Sequence, residues 1–255
     1  MLPEDGYLVR SLATTFRGGT TLDTHDHEWA QLVYASRGVM TVRSANGVWI
    51  VPAHRAVWVP PLTEHRIEML GTVAMRTVYL APSICIALPT QCQTIDVPPL
   101  LRELILEVVR LGMLHRDVPQ QLRLMGVLVD RLTAIQAAPL LLPLPVHPRL
   151  RKMAEAMEQS PTKIVSLAQV AKAAHVSTRT VERVFLAETE LSFGRWCQRM
   201  RLLNALRLLA TGQAVTSVAY AIGYQSVSAF SATFKRELGV TPRHYFQREN
   251  AQATK

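Results

Sequence analysis

The chain has 255 residues, room for two hydrophobic cores rather than one, and a formal net charge of +9 at pH 7. Its three cysteines, Cys85, Cys92 and Cys197, form no C-x-x-C pair, which fits a reducing compartment with free thiols and argues against a disulfide-stapled secreted domain. No charged n-region with an apolar run opens the chain, and no apolar stretch reaches bilayer length without a proline or arginine, so a cytoplasmic protein with no membrane partner is expected.

The first elements read as strands. Short runs over 31–36, 39–43, 48–51, 57–59 and 75–80 are rich in Val, Trp, Tyr and Thr, and Gly38, Asn46-Gly47 and Pro60-Pro61 separate them, the pattern of a small antiparallel barrel. Within it stand Gly19, His25, His27, Gln31 and Gly38, and His65 follows the two prolines. On a strand, His25 and His27 are two apart and face the same way. The Gly19-to-Gly38 spacing resembles the first cupin motif with Gln31 in place of the usual glutamate, and His65 resembles the histidine of the second. Two readings of these four residues stand side by side: the donor set of a divalent transition metal, or a metal-free pocket that hydrogen-bonds a small-molecule effector. Trp29, Tyr34, Met40, Trp49 and Trp58 serve either as apolar pocket walls or as core.

Two amphipathic helices come next, over 98–113 and 120–137, with Leu101, Leu104, Ile105 and Val108, then Leu124, Val127, Leu128 and Leu132, at helical spacing. Residues 139–148 contain four prolines, which remove backbone donors and restrict the residue before each ring. The expected organisation is therefore a first domain over 1–138, a stiff linker over 139–148 and a second domain over 149–255.

The charge changes across that linker. Residues 1–146 carry 12 Lys and Arg against 12 Asp and Glu, whereas residues 147–255 carry 16 against 7. A basic surplus confined to one domain is what phosphate binding requires, because each neutralised phosphate releases counterions.

This second domain contains an internal repeat. In the first copy, about 167–187, Ser166 and Gln169 have capping-box spacing, Leu167, Val170, Ala171 and Ala174 share a face, and Ser177 caps a second helix. That helix turns Val181, Val184 and Phe185 inward and leaves Arg179, Glu182, Arg183 and Leu186 outside. The second copy, about 215–237, repeats the scheme with Val215, Val218, Ala219 and Ile222, a turn at Gly223, an N-cap at Ser226 and inward Phe230 and Phe234. Phe185, Glu188, Leu191, Ser192 and Trp196 correspond to Phe234, Glu237, Val240, Thr241 and Tyr245. Residues 193–210, proline-free, predict one long connecting helix. Together these are two helix-turn-helix units in an all-α domain, and the whole chain is an α+β protein of two domains.

The stretch from Ala219 to Phe230 and from Phe234 to Tyr245 resembles the signature of the AraC/XylS family of transcription regulators, and Ser177 to Phe185 resembles that family's first recognition helix. The resemblance implies a cupin-like sensor barrel with a helical hairpin for homodimerisation, double-stranded DNA and a small-molecule effector as partners, RNA polymerase contact, and activation as the commoner role. Carried over residue by residue, it places Thr178, Arg179, Glu182 and Arg183 at DNA in the first unit, with Arg183 foremost, and Gln225, Ser228, Ser231 and Lys235 in the second. Ala232 departs from the polar residue usual at its position, which weakens base readout there. The layout including 98–106 also resembles regulators of multidrug or nitroimidazole efflux. A cupin enzyme would use the four barrel residues but leave the basic repeat without a role; an architectural DNA-binding protein would leave the barrel without one.

Overall fold

A computed structural model describes residues 5–53, 55–134, 141–160 and 165–245. The chain divides into two compact units, one built mainly from Met1–Ala45 and Trp49–Leu141, the other mainly from Leu142–Arg248.

In chain order the first unit contains β1 (Tyr7–Phe16), β2 (Thr21–His25), β3 (Ala30–Ser44), β4 (Gly47–Pro52), β5 (Arg55–Val59), β6 (His65–Leu80), β7 (Gln93–Asp96), α1 (Pro99–Leu111), β8 (Met113–His115) and α2 (Pro119–Thr133). The long strands β3 and β6 pair antiparallel from Ala30 opposite Leu80 to Ser44 opposite His65. One half of β6 pairs with β1 and the other with β2, while β3 pairs with β4 and β5.

A strand break was expected at Gly38, and the chain instead bends there and continues. The register of β3 against β6 shifts on both sides of Arg37, so the inward positions change from Val33 and Ala35 to Met40 and Val42. An inserted residue inverts strand alternation, and this one turns the sheet over its own core. Gly38 holds φ at 88°, and a Cβ there would lie 2.4 Å from the Thr72 carbonyl oxygen, so the bend depends on glycine. β1 and β2 carry no continuous apolar alternation, and sequence patterning did not reveal them.

Two cores result. Val33, Met40, Trp49, Val57, Ile67, Met69 and Met75 fill the space between the sheet halves. On the other face, Leu32, Tyr34, Trp58, Val78 and Leu80 pack with Leu101, Ile105 and Val108 of α1 and Met125, Leu128 and Leu132 of α2. The candidate pocket residues are thus divided: Met40 and Trp49 in one core, Tyr34 and Trp58 in the other, and Trp29 at the edge of the second with the Arg10 guanidinium 4.6 Å above its ring. On α2, Met125 takes the inward position expected for Val127, which is 41% exposed. The end of the predicted second helix, 135–137, and the first two linker residues lie outside the described residues.

The second unit begins at the short strand β9 (Leu141–Pro143), whose last two residues belong to it, and continues with α3 (Pro148–Gln159), α4 (Leu167–Ala174), α5 (Thr178–Thr189), α6 (Phe193–Ala210), α7 (Val215–Ala221) and α8 (Val227–Leu238). α3 was not foreseen; its polar composition hides the inward set Leu150, Ala154 and Met157. Trp196 of α6 donates its indole N–H to the Pro143 carbonyl at 2.7 Å, and buried Glu158 of α3 pairs with Arg207 of α6.

The repeat extends to individual atoms. Ser177 and Ser226 cap α5 and α8 by accepting from the Thr180 and Ala229 N–H groups. His175 and Gly223 both take the left-handed conformation, at φ 54° and 86°, and the next N–H bonds back to Ala171 and Ala219 at 3.0 Å in each case. Phe185 meets Trp196 edge-on at 5.3 Å, as Phe234 meets Tyr245 at 5.5 Å. Before the turn the copies are offset by 48 positions and after it by 49, so the second turn holds one additional residue, Gln225.

Candidate nucleic-acid interface and histidine cluster

α5 is held by Val181, Val184 and Phe185, all buried, which fixes what its outer face presents. Thr178, Arg179 and Arg183 lie there, exposed, and among the described residues neither arginine side chain has an ion-pair or hydrogen-bond partner. Glu182 behaves differently. It is half-buried, and its Oε2 accepts the Phe193 N–H at 3.2 Å, placing a carboxylate at the positive N-terminal end of α6. Sequence patterning grouped it with the arginines because it could not register a contact eleven residues away.

In the second helix-turn-helix motif, Gln225, Ser228 and Lys235 are exposed and Ser231 is half-buried. Arg195 and Arg236 both reach Glu237, at 3.5 and 3.2 Å, tying α6 to α8. Burial holds the Arg199 guanidinium below the usual range, with Glu237 opposing that shift and Arg195 adding to it. At roughly 1.5 Å per residue, α6 spans about 27 Å between the two helix-turn-helix motifs.

The four barrel residues come together. β2 bulges between Leu22, opposite Ile67, and His25, opposite His65. His27 lies just beyond the strand rather than on it, its carbonyl accepting the Leu62 N–H at 2.8 Å, yet its ring still joins the cluster. Ring centroids are 4.4 Å apart for His25 and His65, 5.1 Å for His27 and His65, and 6.0 Å for His25 and His27. One ring nitrogen from each histidine lies within 4.8 Å of the others.

Gln31 forms the floor. On β3 it shares the inward face of Val33, and on β6 His65, Thr77 and Tyr79 share the face of Ile67 and Met75. Gln31 Oε1 lies 3.1 Å from His27 Nε2 and 2.9 Å from His65 Nε2, while its amide nitrogen donates to Thr77 Oγ1 at 2.9 Å and Tyr79 OH at 3.1 Å. Each ring's Nδ1 meets a backbone carbonyl: Asp23 for His25 at 2.7 Å, Trp29 for His27, and Thr63 for His65 at 2.8 Å. Burial brings the His65 imidazole down to about 4, against the upward pull of the Thr63 carbonyl, so it is neutral at pH 7. Burial also raises the Tyr79 hydroxyl. Three imidazoles and one amide oxygen fit the donor set of a divalent transition metal.

The sequence matches two domain families: an AraC-like ligand binding domain over residues 13–159 and a helix-turn-helix domain over 170–248. It is 36% identical over 247 residues to the HTH-type transcriptional regulator NimR of Escherichia coli, an alignment covering 96% of this chain and 90% of that protein. The HTH-type transcriptional regulator RipA of Corynebacterium glutamicum is 34% identical over 100 residues, 39% of this chain and 30% of its own length. Among solved structures, ToxT from Vibrio cholerae O395 aligns with 95% of this chain and 97% of its own, at 12% identity and a TM-score of 0.40. Among the described residues no helix is long and apolar enough to cross a membrane. An AraC-like ligand binding domain and a helix-turn-helix domain in one chain, with a relative alike over nearly its full length, place this protein in the AraC family of DNA-binding transcriptional regulators.

Proposed function

We propose that this regulator reads its operator chiefly through α5, with Arg183 and then Arg179 at base edges, and that an effector at the barrel cluster controls that reading. The observation that carries the proposal is the pair of exposed guanidinium groups, without an ion-pair or hydrogen-bond partner among the described residues, on a helix whose opposite face is buried. A guanidinium can bond guanine O6 and N7 bidentately, worth about 1–3 kcal/mol against a wrong base. Thr178, Gln225, Ser228, Ser231 and Lys235 contribute shorter-range or phosphate contacts, and Glu182 positions α6 against α5 rather than reading cytosine.

The protein acts in the cytoplasm as a homodimer and contacts RNA polymerase as an activator. Dimerisation through α2 is supported by Leu122 and Val127, 49% and 41% exposed on one helix. The Pro-Pro-Leu-Leu-Arg-Glu-Leu-Ile-Leu stretch at 98–106 favours a neighbouring efflux or detoxification gene as target. The organisation proposed is a sensor over 1–138, a linker over 139–148 and a DNA reader over 149–255.

The test is selection of genomic fragments by the full chain, followed by titration of the best fragment with wild type and Arg183→Ala. A short asymmetric site is expected, with binding to it weakened about 5- to 150-fold in the variant and preference relaxed at one base pair. Equal weakening on all sequences would assign Arg183 to phosphate and refute the base-reading role.

A further inference from the structure

The last residues of the proline-rich linker are bonded to the first helix-turn-helix motif rather than left as a free tether. The chain passes from the first unit to the second after Leu141. Glu188, the penultimate residue of α5, accepts the backbone N–H groups of both Val146 and His147 on one oxygen, Oε2, at 2.7 and 2.9 Å. Upstream, the Pro143 carbonyl accepts the Trp196 indole N–H, and the same ring stands edge-on to Phe185 of α5. The prolines at 143, 145 and 148 have no N–H to offer, so Glu188 takes two of the few donors this stretch has.

His147 is the N-cap of α3, its side chain makes no cap bond, and Pro148 follows at the first helical position. By contrast, α4, α5, α6 and α8 each begin with a serine whose hydroxyl accepts from the residue three positions on. A cap that serves stability alone is available locally, whereas α3 takes its cap from α5, 41 residues away. The carboxylate also lies at the positive end of the α3 dipole. In the second copy of the repeat the corresponding Glu237 binds the side chains of Arg195 and Arg236 instead, so contact with linker backbone is a feature of the first copy.

Glu188 is exposed, unlike the buried Glu158 that pairs with Arg207. Water can take the place of an exposed acceptor, so the two linker bonds open far more readily than the packed core. Glu188 also lies five residues beyond Arg183 on the same helix, roughly 7.5 Å along its axis. We propose that Glu188 is a positioning residue for operator binding: it docks linker residues 143–147 on α5, and the docked state is the one that binds DNA tightly. This role rests on the reading above that α5 meets DNA, whichever bases it recognises. Linker docking and DNA binding then favour each other reciprocally, and a change in the first unit has a covalent path to α5.

Hydrogen exchange of the full chain, with and without a saturating selected operator fragment, reads the docking directly. Because of the three prolines, a peptide spanning 142–148 reports mainly the amides of Leu144, Val146 and His147. Operator is expected to slow that exchange at least about 5-fold in wild type and to leave it unchanged in Glu188→Ala. Glu188→Ala should weaken operator binding about 5- to 150-fold, and Glu188→Gln, which keeps an acceptor oxygen, should restore most of it. Val146→Pro removes one donor at a side chain that is 73% exposed and should weaken binding in the same direction, with the double variant less than additive. Exchange in wild type that ignores operator, full affinity in Glu188→Ala, or additive losses in the double variant would overturn the role and leave Glu188 a helix cap. Failure of the underlying reading shows separately, because Arg179→Ala and Arg183→Ala would then both bind operator as wild type does.

Discussion

Glu182 Oε2 accepts the backbone N–H of Phe193 at 3.2 Å, so a side chain on α5 closes the start of α6, the helix between the two helix-turn-helix motifs. A carboxylate near a helix N-terminus stabilises it through the unpaired N–H groups and the dipole. Glu182→Ala should lower unfolding free energy by about 0.5–2 kcal/mol, Glu182→Gln by less, because the amide oxygen still accepts. Chemical denaturation of the two variants checks this. Equal loss in both would show that charge, not the hydrogen bond, carries the effect.

Lys235 is exposed on α8, where short neighbours leave little else to reach DNA. Lys235→Ala is expected to weaken binding evenly across sequences and to reduce the slope of log affinity against log salt by about one. Titrations at several salt concentrations measure that slope; a changed base preference would contradict a phosphate role.

The thiols should be inert in the native state. Burial pushes Cys85 up to about 12 and Cys92 and Cys197 up to about 11, so at pH 7.5 almost none is present as the nucleophilic thiolate. Iodoacetamide should label the native protein slowly and all three sites quickly in denaturant, as read by mass spectrometry. Rapid native labelling would contradict this and open a redox role.

Gly38→Ala should destabilise the sheet-rich unit by about 1–3 kcal/mol, because alanine is strained at φ 88° and its Cβ would press on the Thr72 carbonyl. A shift of the denaturation midpoint measures it. The neighbouring Gly19 and Gly71, where a Cβ meets nothing within 4 Å, provide controls that share the positive φ without the clash.

Local signals made the helical unit legible. Ser166, Ser177 and Ser226 cap within three residues of themselves, and Phe185 and Phe234 recur at matching places, so helix starts and inward faces follow from short stretches of sequence. The sheet-rich unit depends on distant pairing. Gly38 has the same appearance in sequence whether it ends a strand or bends one, and only the approach of Thr72 decides. The beginning of β6 was hidden because outward Arg66 and Glu68 interrupt its apolar character, although His65, Ile67 and Met69 alternate inward. The motif spacing did bring His25, His27, Gln31 and His65 to one place, but Thr77 and Tyr79, which orient Gln31, lay outside any motif. A buried threonine and tyrosine two apart on a strand, on the same face as a histidine, were the available signal.

The two outer faces of the repeat are no longer alike: α5 presents Arg179 and Arg183 where α8 presents Ser228 and Ala232, and the second turn is one residue longer. A chain with unlike ends has a heading on the double helix. Reversing an operator would then turn the whole molecule around, and whatever surface it shows to the transcription machinery would point away from the gene. If α5 and α8 contact DNA as proposed, the direction of the operator is expected to matter because these two faces differ.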